Sequence, residues 1–448
     1  MTLVTSFAAV AVFYLLAAYA VGGPAVLARH LAARLSRRRL RYRPPQDDAI
    51  ASSRFTIPVS LVVYSEGEAD VAASAAHLLG LEYPEFEVIV VNDGSLGALA
   101  ALRERFDLSA CEIFFRRSLE TSPVRGIYRS RSDPRLLVLD CAVDRRGDAL
   151  NCGVNLARFR YVCCADLRAR YHADALVESM HAAVEDPALV VGVTTTLAAG
   201  LEDGNVSPQA AGGVWSTLER LSASRTLLSR GGWRSLSLGP EGLPGLTLWR
   251  RDALIEVGGF ARDIESEQVE LTFRMHRHHL AASRPYRIVH IAEPIGSAAS
   301  DEMLARLVQE QEVCHRALGA VLWRYRTLLL NPRYGSLGLV GLPRYVFSTL
   351  VVPWFELVCL AALPIAPLVG VVTWPQLLLL VAALGLGNAI LLNTALLSAP
   401  AGAHDAAALR RFVLLGPVEL FVARPAQLYA RLSGMLKMLA RSVSAPAS

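Results

Sequence analysis

The chain has 448 residues, enough for one large domain or two ordinary ones. Hydrophobic residues make up 53% of it and charged residues 19%, which excludes a disordered chain and directs attention first to membrane segments. The formal net charge is only +5, and much of the excess sits in one arginine run with no base-reading module beside it, so no nucleic-acid partner is expected. The seven cysteines (Cys111, Cys141, Cys152, Cys163, Cys164, Cys314 and Cys359) show neither CxxC nor Cys/His spacing. They read as small buried residues of a reduced compartment, without disulfides or zinc.

Met1 to Ala28 carries no charged side chain, and Ser6–Leu27 is long enough to cross a bilayer of about 30 Å. The positive charges Arg29, Arg34, Arg37, Arg38, Arg39, Arg41 and Arg43 follow this run, whereas a cleaved signal peptide carries them in front. Residues 1–28 are therefore expected to be a transmembrane helix and 29–54 a basic juxtamembrane linker on the cytoplasmic side. Residues 55–330 alternate short apolar runs with amphipathic stretches, the pattern of a mixed α/β domain. Strands are predicted at Ile57–Val63, Glu87–Val91, Arg135–Asp140, Tyr161–Ala165 and Ala188–Thr194. Helices are predicted at Glu68–Leu79, Ser95–Phe106 and Ala173–Val184. The segment EVIVVNDGS (87–95) stands out. A β-branched run stops at Asn92-Asp93-Gly94-Ser95, a cluster of turn formers, and the carboxyl end of such a buried strand is where α/β sheets bind ligands.

Residues 331–344 are expected to lie on the membrane surface. Tyr345–Val372 and Pro375–Ala403 read as a hairpin of two membrane helices within 345–403. Residues 404–448 read as an amphipathic cytoplasmic tail, marked by Arg410, Arg411, Arg424, Arg431, Lys437 and Arg441. The chain is thus expected to be a multi-pass protein of the inner or plasma membrane with its α/β domain in the cytoplasm.

Five segments in order resemble the membrane-bound family 2 glycosyltransferases, inverting enzymes of GT-A fold that include polysaccharide synthases. LEYPEFEVIVVNDGS (81–95) resembles the second strand and uridine-binding turn. GDALNCGVNLAR (147–158) is similar to the family's GKADALNAGI segment. YVCCADLRARYHADAL (161–176) resembles the strand ending in the metal-binding DxD. LTLWRRDALIEVGGF (246–260) and SEQVELTFRMHRH (266–278) resemble the acceptor stretch and the TED motif. PVELFVARPAQLYARLSG (417–434) is similar to the amphipathic tail. The resemblance implies an α/β fold, namely a GT-A nucleotide-diphospho-sugar transferase domain with flanking transmembrane helices. It also implies a nucleotide-sugar donor, a UDP-sugar first, and a glycan or lipid-linked acceptor.

Carried over residue by residue, the resemblance implies that Asn92 and Asp93 hold the base, and that Glu68, Arg146, Asp148, Asp166 and Arg168 line the nucleotide site. The DxD motif is altered. Asp166 matches its first carboxylate, but Arg168 stands at the second, where a magnesium or manganese ion needs a hard anionic oxygen. Three outcomes stay open: the metal site is lost, Arg168 replaces the cation through a bidentate fork, or Arg168 points into solvent. The TED motif reads Ser266-Glu267-Gln268. An amide at Gln268 can position a hydroxyl but cannot deprotonate it, and Glu267 and Glu270 are nearby carboxylates; helix neighbours point about 100° apart, so Glu267 would not replace Gln268 without rearrangement. QxxRW is missing. Glu312-Val313-Cys314-His315-Arg316 occupies its place, with His315 and Arg316 as acceptor or phosphate contacts. His276, His278 and His279 read as a solvated helix face, and Trp215, Trp233 and Trp249 as acceptor platforms or core. Two functions follow from this: an active glycosyltransferase with a changed catalytic set, or a catalytically inactive relative that serves as a binding or scaffold subunit of a polysaccharide synthesis or export system.

Overall fold

A computed structural model of the chain describes residues 57–66, 70–199, 244–298, 304–335, 337–397 and 415–444, with a few of the first fifteen. By internal contacts the chain divides into two units. One joins Arg43–Ala198 to Ser237–Ala299, and the other joins Met1–Tyr42, Ala199–Leu236 and Ser300–Ser448.

Among the described residues, the first unit is organised by ten strands. They are β1 (Val59–Ser65), β2 (Phe86–Asn92), β3 (Leu108–Ala110), β4 (Val124–Ser130), β5 (Leu136–Cys141), β6 (Tyr161–Ala165), β7 (Ala169–Tyr171), β8 (Val190–Ala199), β9 (Pro244–Arg250) and β10 (Arg287–Ala298). β1, β2, β5 and β6 are buried at every position, as expected of strands covered on both sides. They form a parallel heart in which β1 pairs with β2 and β6, and β2 with β5. Antiparallel strands extend it on both sides in the order β3-β4-β5-β2-β1-β6-β9-β8-β10-β7.

Helices cover the two faces: α1 (Val71–Leu79), α2 (Leu96–Phe106), α3 (Arg146–Leu156), α4 (Ala175–Val184), α5 (Arg251–Glu256) and α6 (Glu267–Ala281). The alternation along β1 decides which face each side chain joins. Leu61 and Val63 pack with α1, α2 and α4, and Val62 and Tyr64 with α3, α5 and α6. α3 lies so close to β1 that a Cβ at Gly153 would stand 2.3 Å from Val62. Because β1 is flanked by β2 and β6, the chain leaves its neighbours in opposite directions. In open α/β sheets such a reversal places a crevice at the strands' carboxyl ends.

The predicted strands appear as β1, β2, β5, β6 and β8, β6 with the predicted ends and the others with shifted ones. The edge hairpin of β3 and β4 was not foreseen, because VRGIYRS carries two exposed arginines and a glycine where a buried strand carries apolar residues. All seven cysteines are free. His276 and His279 are buried, contrary to the expected solvated face. Tyr286 accounts for this, lying 2.6 Å from His276 Nδ1 with its ring against that of His279. Trp249 is fully buried core. Trp215, Trp233, Glu68 and the basic linker lie outside the described residues.

The second unit is helical: α7 (Leu304–Arg324), α8 (Leu337–Ile365), α9 (Trp374–Leu397) and α10 (Arg424–Ser444). Of these, α8 is long and apolar enough to cross a membrane, while the apolar part of α9, Trp374–Ala389, is shorter. Wide π turns occur at Leu337–Gly341, Phe347–Val351 and Glu419–Ala423. Proline explains all three. Pro343, Pro353 and Pro425 have no N–H for the carbonyls four residues back, Leu339, Thr349 and Phe421, and each wide turn encloses one of these. Inside the apolar bundle two polar pairs are buried. Arg424 donates to both oxygens of Glu356 (2.9 and 2.7 Å), and Asn388 donates to Gly416 O (2.7 Å) and Glu419 Oε2 (2.8 Å).

Gly192 on β8 supports a prediction about the core. A Cβ there would lie 2.3 Å from the Trp249 ring, and a fully buried indole has nowhere to move. Gly192→Ala is expected to destabilise the chain by about 1–3 kcal/mol. A thermal melt checks this, and an unchanged midpoint would show that the core can yield.

Candidate functional site

The carboxyl ends of the central strands are locked together by one buried amide. Asn92 is fully buried. Its Nδ2 donates to Asp140 Oδ1 (2.8 Å) and to Ser95 O (3.2 Å), and its Oδ1 accepts from Ser65 Oγ (3.2 Å). β1, β2 and β5 are thereby tied at their ends. The next residue turns outward. Asp93 Oδ1 accepts from the Ser95 N–H (3.0 Å), Gly94 adopts φ +90°, and Ser95 Oγ caps α2 by accepting from Ala98 (3.5 Å). Of the two residues expected to hold a base, Asn92 is therefore a structural joint. Asp93 is half-buried at the crevice, and its second oxygen has no protein partner among the described residues.

Tyr64, at the end of β1, marks the middle of this region. Burial and then the charges of Asp93, Glu66 and Asp144 push its phenol up to about 12, with Arg146 opposing. Arg146 opens α3. Its Nε lies 3.1 Å from Glu267 Oε1 without the alignment of a hydrogen bond, and its Nη1 lies 3.5 Å from Asp166 Oδ2. Burial alone would lower its pKa, but Glu267 and Asp166 outweigh that and hold the guanidinium charged. The balance differs at the two acids. Burial lifts the Glu267 carboxyl above its ordinary range against the pull of Arg146. At Asp166, burial is overcome by Arg146 and Arg168, and the carboxyl sits below its ordinary range.

Arg168 folds back over Asp166. Its N–H donates to Asp166 Oδ1 (3.0 Å), and its guanidinium lies 3.5 Å from both oxygens while staying half exposed. The GT-A resemblance implies a divalent cation at this position, and the residues do not fit one. Both oxygens of Asp166 face guanidinium groups, and the described residues contain no cluster of three His, Cys, Asp or Glu side chains able to hold an ion.

The other expected residues are placed elsewhere. Gln268 is buried and accepts a 2.6 Å bond from Thr247 Oγ1 on β9. Glu270 is buried against Arg274 (2.8 Å), which also donates to Val257 O and Gly259 O, so this pair anchors the loop after α5. Asp148 is buried too. Its oxygens accept from the Ser122 N–H (3.3 Å) and pair with Arg262 (3.0 Å), binding two loops to α3. His315 and Arg316 lie on α7 in the helical unit. His315 Nδ1 is 2.8 Å from Gln311 O, and burial with the nearby Arg431 pushes its pKa down to about 3. Two residues at the crevice escaped the sequence reading. Tyr64 lies one residue past the predicted strand Ile57–Val63 but inside β1, and Arg125 of β4 places its guanidinium over Gly94, with Nη1 2.2 Å from where a Cβ would stand.

Arg146→Gln removes the cation that offsets the burial of Glu267. The Glu267 carboxyl, already above its ordinary 4.5, then rises further and binds its proton more tightly in the folded chain than in the unfolded one. Its stability contribution is fully present below 4.5 and is lost as pH rises through the higher folded value. The variant is expected to trail the wild type by about 3 kcal/mol at pH 8, with the gap narrowing towards pH 5. Unfolding curves across that range check it, and a gap independent of pH would refute the coupling.

No family model matches the chain. Over 218 residues it is 23% identical to the poly-β-1,6-N-acetyl-D-glucosamine synthase of Staphylococcus epidermidis, covering 48% of this chain. That match spans 44% of the relative, so the chain accounts for less than half of its length. Among solved structures, a mannosyltransferase from Pyrobaculum calidifontis in complex with GDP-Man and Mn2+ superposes with a TM-score of 0.55 at 16% identity, over 92% of this chain and 98% of that one. S. aureus TarS (1–349) matches at a TM-score of 0.39 and 14% identity, over 87% of this chain and 93% of that one, too loosely to argue from. The mixed sheet and its helices are those of a GT-A-like glycosyltransferase fold.

Proposed function

We propose that the chain is a membrane-bound glycosyltransferase that moves a sugar from a nucleoside-diphosphate donor, a UDP-sugar first, to a glycan or lipid-linked acceptor. One observation carries this reading. Asp93, Tyr64, Arg146, Asp166 and Arg168 gather at the carboxyl ends of β1, β2 and β6, the switch point of the sheet. Asp93 offers a free carboxylate oxygen to a base N–H. Arg146 and Arg168 offer two guanidinium groups to the diphosphate, through contacts to protein carboxylates that are already long and easily exchanged.

Glu267 supplies the base. Gln268 has no basic site and Glu270 is committed to Arg274, while burial raises the Glu267 carboxyl in the direction proton transfer near neutral pH requires. As Arg146 turns to the diphosphate, Glu267 is released. It takes the proton of the acceptor hydroxyl while that oxygen bonds to the anomeric carbon. The bond from that carbon to the diphosphate breaks, and its electron pair leaves on the diphosphate, where the two guanidinium groups balance the charge.

The helical unit supports a place in the membrane. Phe347, Val351, Trp354, Val358 and Ile365 are exposed and recur along one face of α8, a stripe that lipid would cover. The arginines flanking the apolar runs favour a cytoplasmic side for the sugar-transferring unit, in an inner or plasma membrane.

Calorimetry of the detergent-solubilised chain tests the donor. UDP is expected to bind equally with EDTA or Mn2+, and Arg168→Ala to weaken it roughly tenfold under both conditions. Binding of no nucleoside diphosphate under either condition would overturn the reading. Transfer of labelled sugar tests the base: Glu267→Gln is expected to lower kcat by about 10²–10⁴ with UDP affinity kept within a few-fold. Unchanged transfer would remove Glu267 from the role, and the wild-type assay separates a transferase from a chain that only binds.

A further inference from the structure

Arg125 is exposed, and strand pairing fixes where its backbone stands. The register between β4 and β5 slips at this residue: Val124 pairs with Cys141 and Gly126 with Asp140, so Arg125 is the extra residue of a bulge. Bulges re-aim one side chain out of the ladder. Here the side chain is thrown across the end of β5, onto the turn that follows β2. It lands on Gly94, where a Cβ would lie 2.2 Å from Nη1. Arg125 forms no hydrogen bond or ion pair with any described residue. Beneath it, Asp93 spends Oδ1 on the turn and leaves its other oxygen open. A donor-only group and an acceptor-only group thus stand side by side at the crevice, and neither is saturated by the described residues.

We propose that Arg125 reads the exocyclic group of the donor's base and selects bases that carry a carbonyl there, uracil or guanine, over those that carry an amino group, cytosine or adenine. The inference rests on the proposed donor site at Asp93. Uracil and guanine present an N–H beside a carbonyl oxygen. The N–H satisfies the Asp93 carboxylate, and the carbonyl accepts from the guanidinium. Cytosine and adenine reverse the order: a bare ring nitrogen faces the carboxylate, and an amino group faces a cation with no lone pair to offer it. With the diphosphate end held near Arg146, the base cannot slide to restore the match. The selection needs no contact from Asn92, which is occupied in tying the strand ends.

The test compares UDP, GDP, CDP and ADP by calorimetry on the full chain in EDTA, for the wild type and for Arg125→Ala. Arg125 is exposed and its side chain has no partner among the described residues, so the variant is expected to keep its melting midpoint. In the wild type, UDP and GDP are expected to bind at least about tenfold more tightly than CDP and ADP. In Arg125→Ala that ratio is expected to fall to about twofold or less, because the guanidinium's contribution to it is gone. Loss of a cation weakens all four diphosphates alike, so the ratio isolates the base. Equal binding of the four by the wild type, a preference for CDP or ADP, or a ratio preserved in Arg125→Ala would overturn the inference while leaving the donor site intact. Binding of none of them would overturn both.

Discussion

One guanidinium, that of Arg146, holds three pieces of the mixed α/β unit in a common electrostatic arrangement. α3 delivers it, β6 contributes Asp166, and α6 contributes Glu267. None of the three charges would be stable there alone, because burial penalises each of them. The geometry is also incomplete. Distances of 3.1 to 3.5 Å and an unaligned Nε leave part of the hydrogen-bonding capacity of Arg146 unused. A site of this kind can exchange a protein carboxylate for a phosphate oxygen with little change in net charge, and that is the property a diphosphate pocket needs.

The sequence made the parallel heart legible because buried strands announce themselves as β-branched runs ending in turn formers. EVIVVNDGS became β2 and its turn, and Asp93 stands where that pattern put it. The departures have local causes. Asn92 and Asp93 are neighbours, yet strand alternation and the turn send one inward and the other into the crevice. Asp148 and Glu270 read like ligand residues because they are acidic and adjacent to recognisable segments. Loop backbone and arginines claimed them instead. Arg125 gave no signal, since a bulge on an edge strand depends on pairing register, which one strand's composition does not reveal.

The helical unit answers a different constraint. In an apolar setting every removed backbone donor and every charge must be accommodated locally. Prolines account for the wide turns, and Glu356 with Arg424 and Asn388 with Glu419 accommodate the polar groups pairwise. α7 and α10 meet at Gly434, where even a methyl group would strike the Glu312 carbonyl at 2.2 Å, while the Glu312 side chain reaches Ser433 and Lys437. The tail is therefore joined to this unit by contacts specific enough to fix its register.

The turn at Asp93 has a consequence for how such a site could diversify. Only Oδ1 is needed to accept from Ser95 and hold the turn. An asparagine would keep that bond and the loop's shape, while its other atom would change from an acceptor to a donor. A single atom would thus change what this position asks of an incoming ring, while the hydrogen bond that holds the turn stays in place. One oxygen of Asp93 holds the turn and the other faces the crevice, so a lineage can revise the second while selection conserves the first.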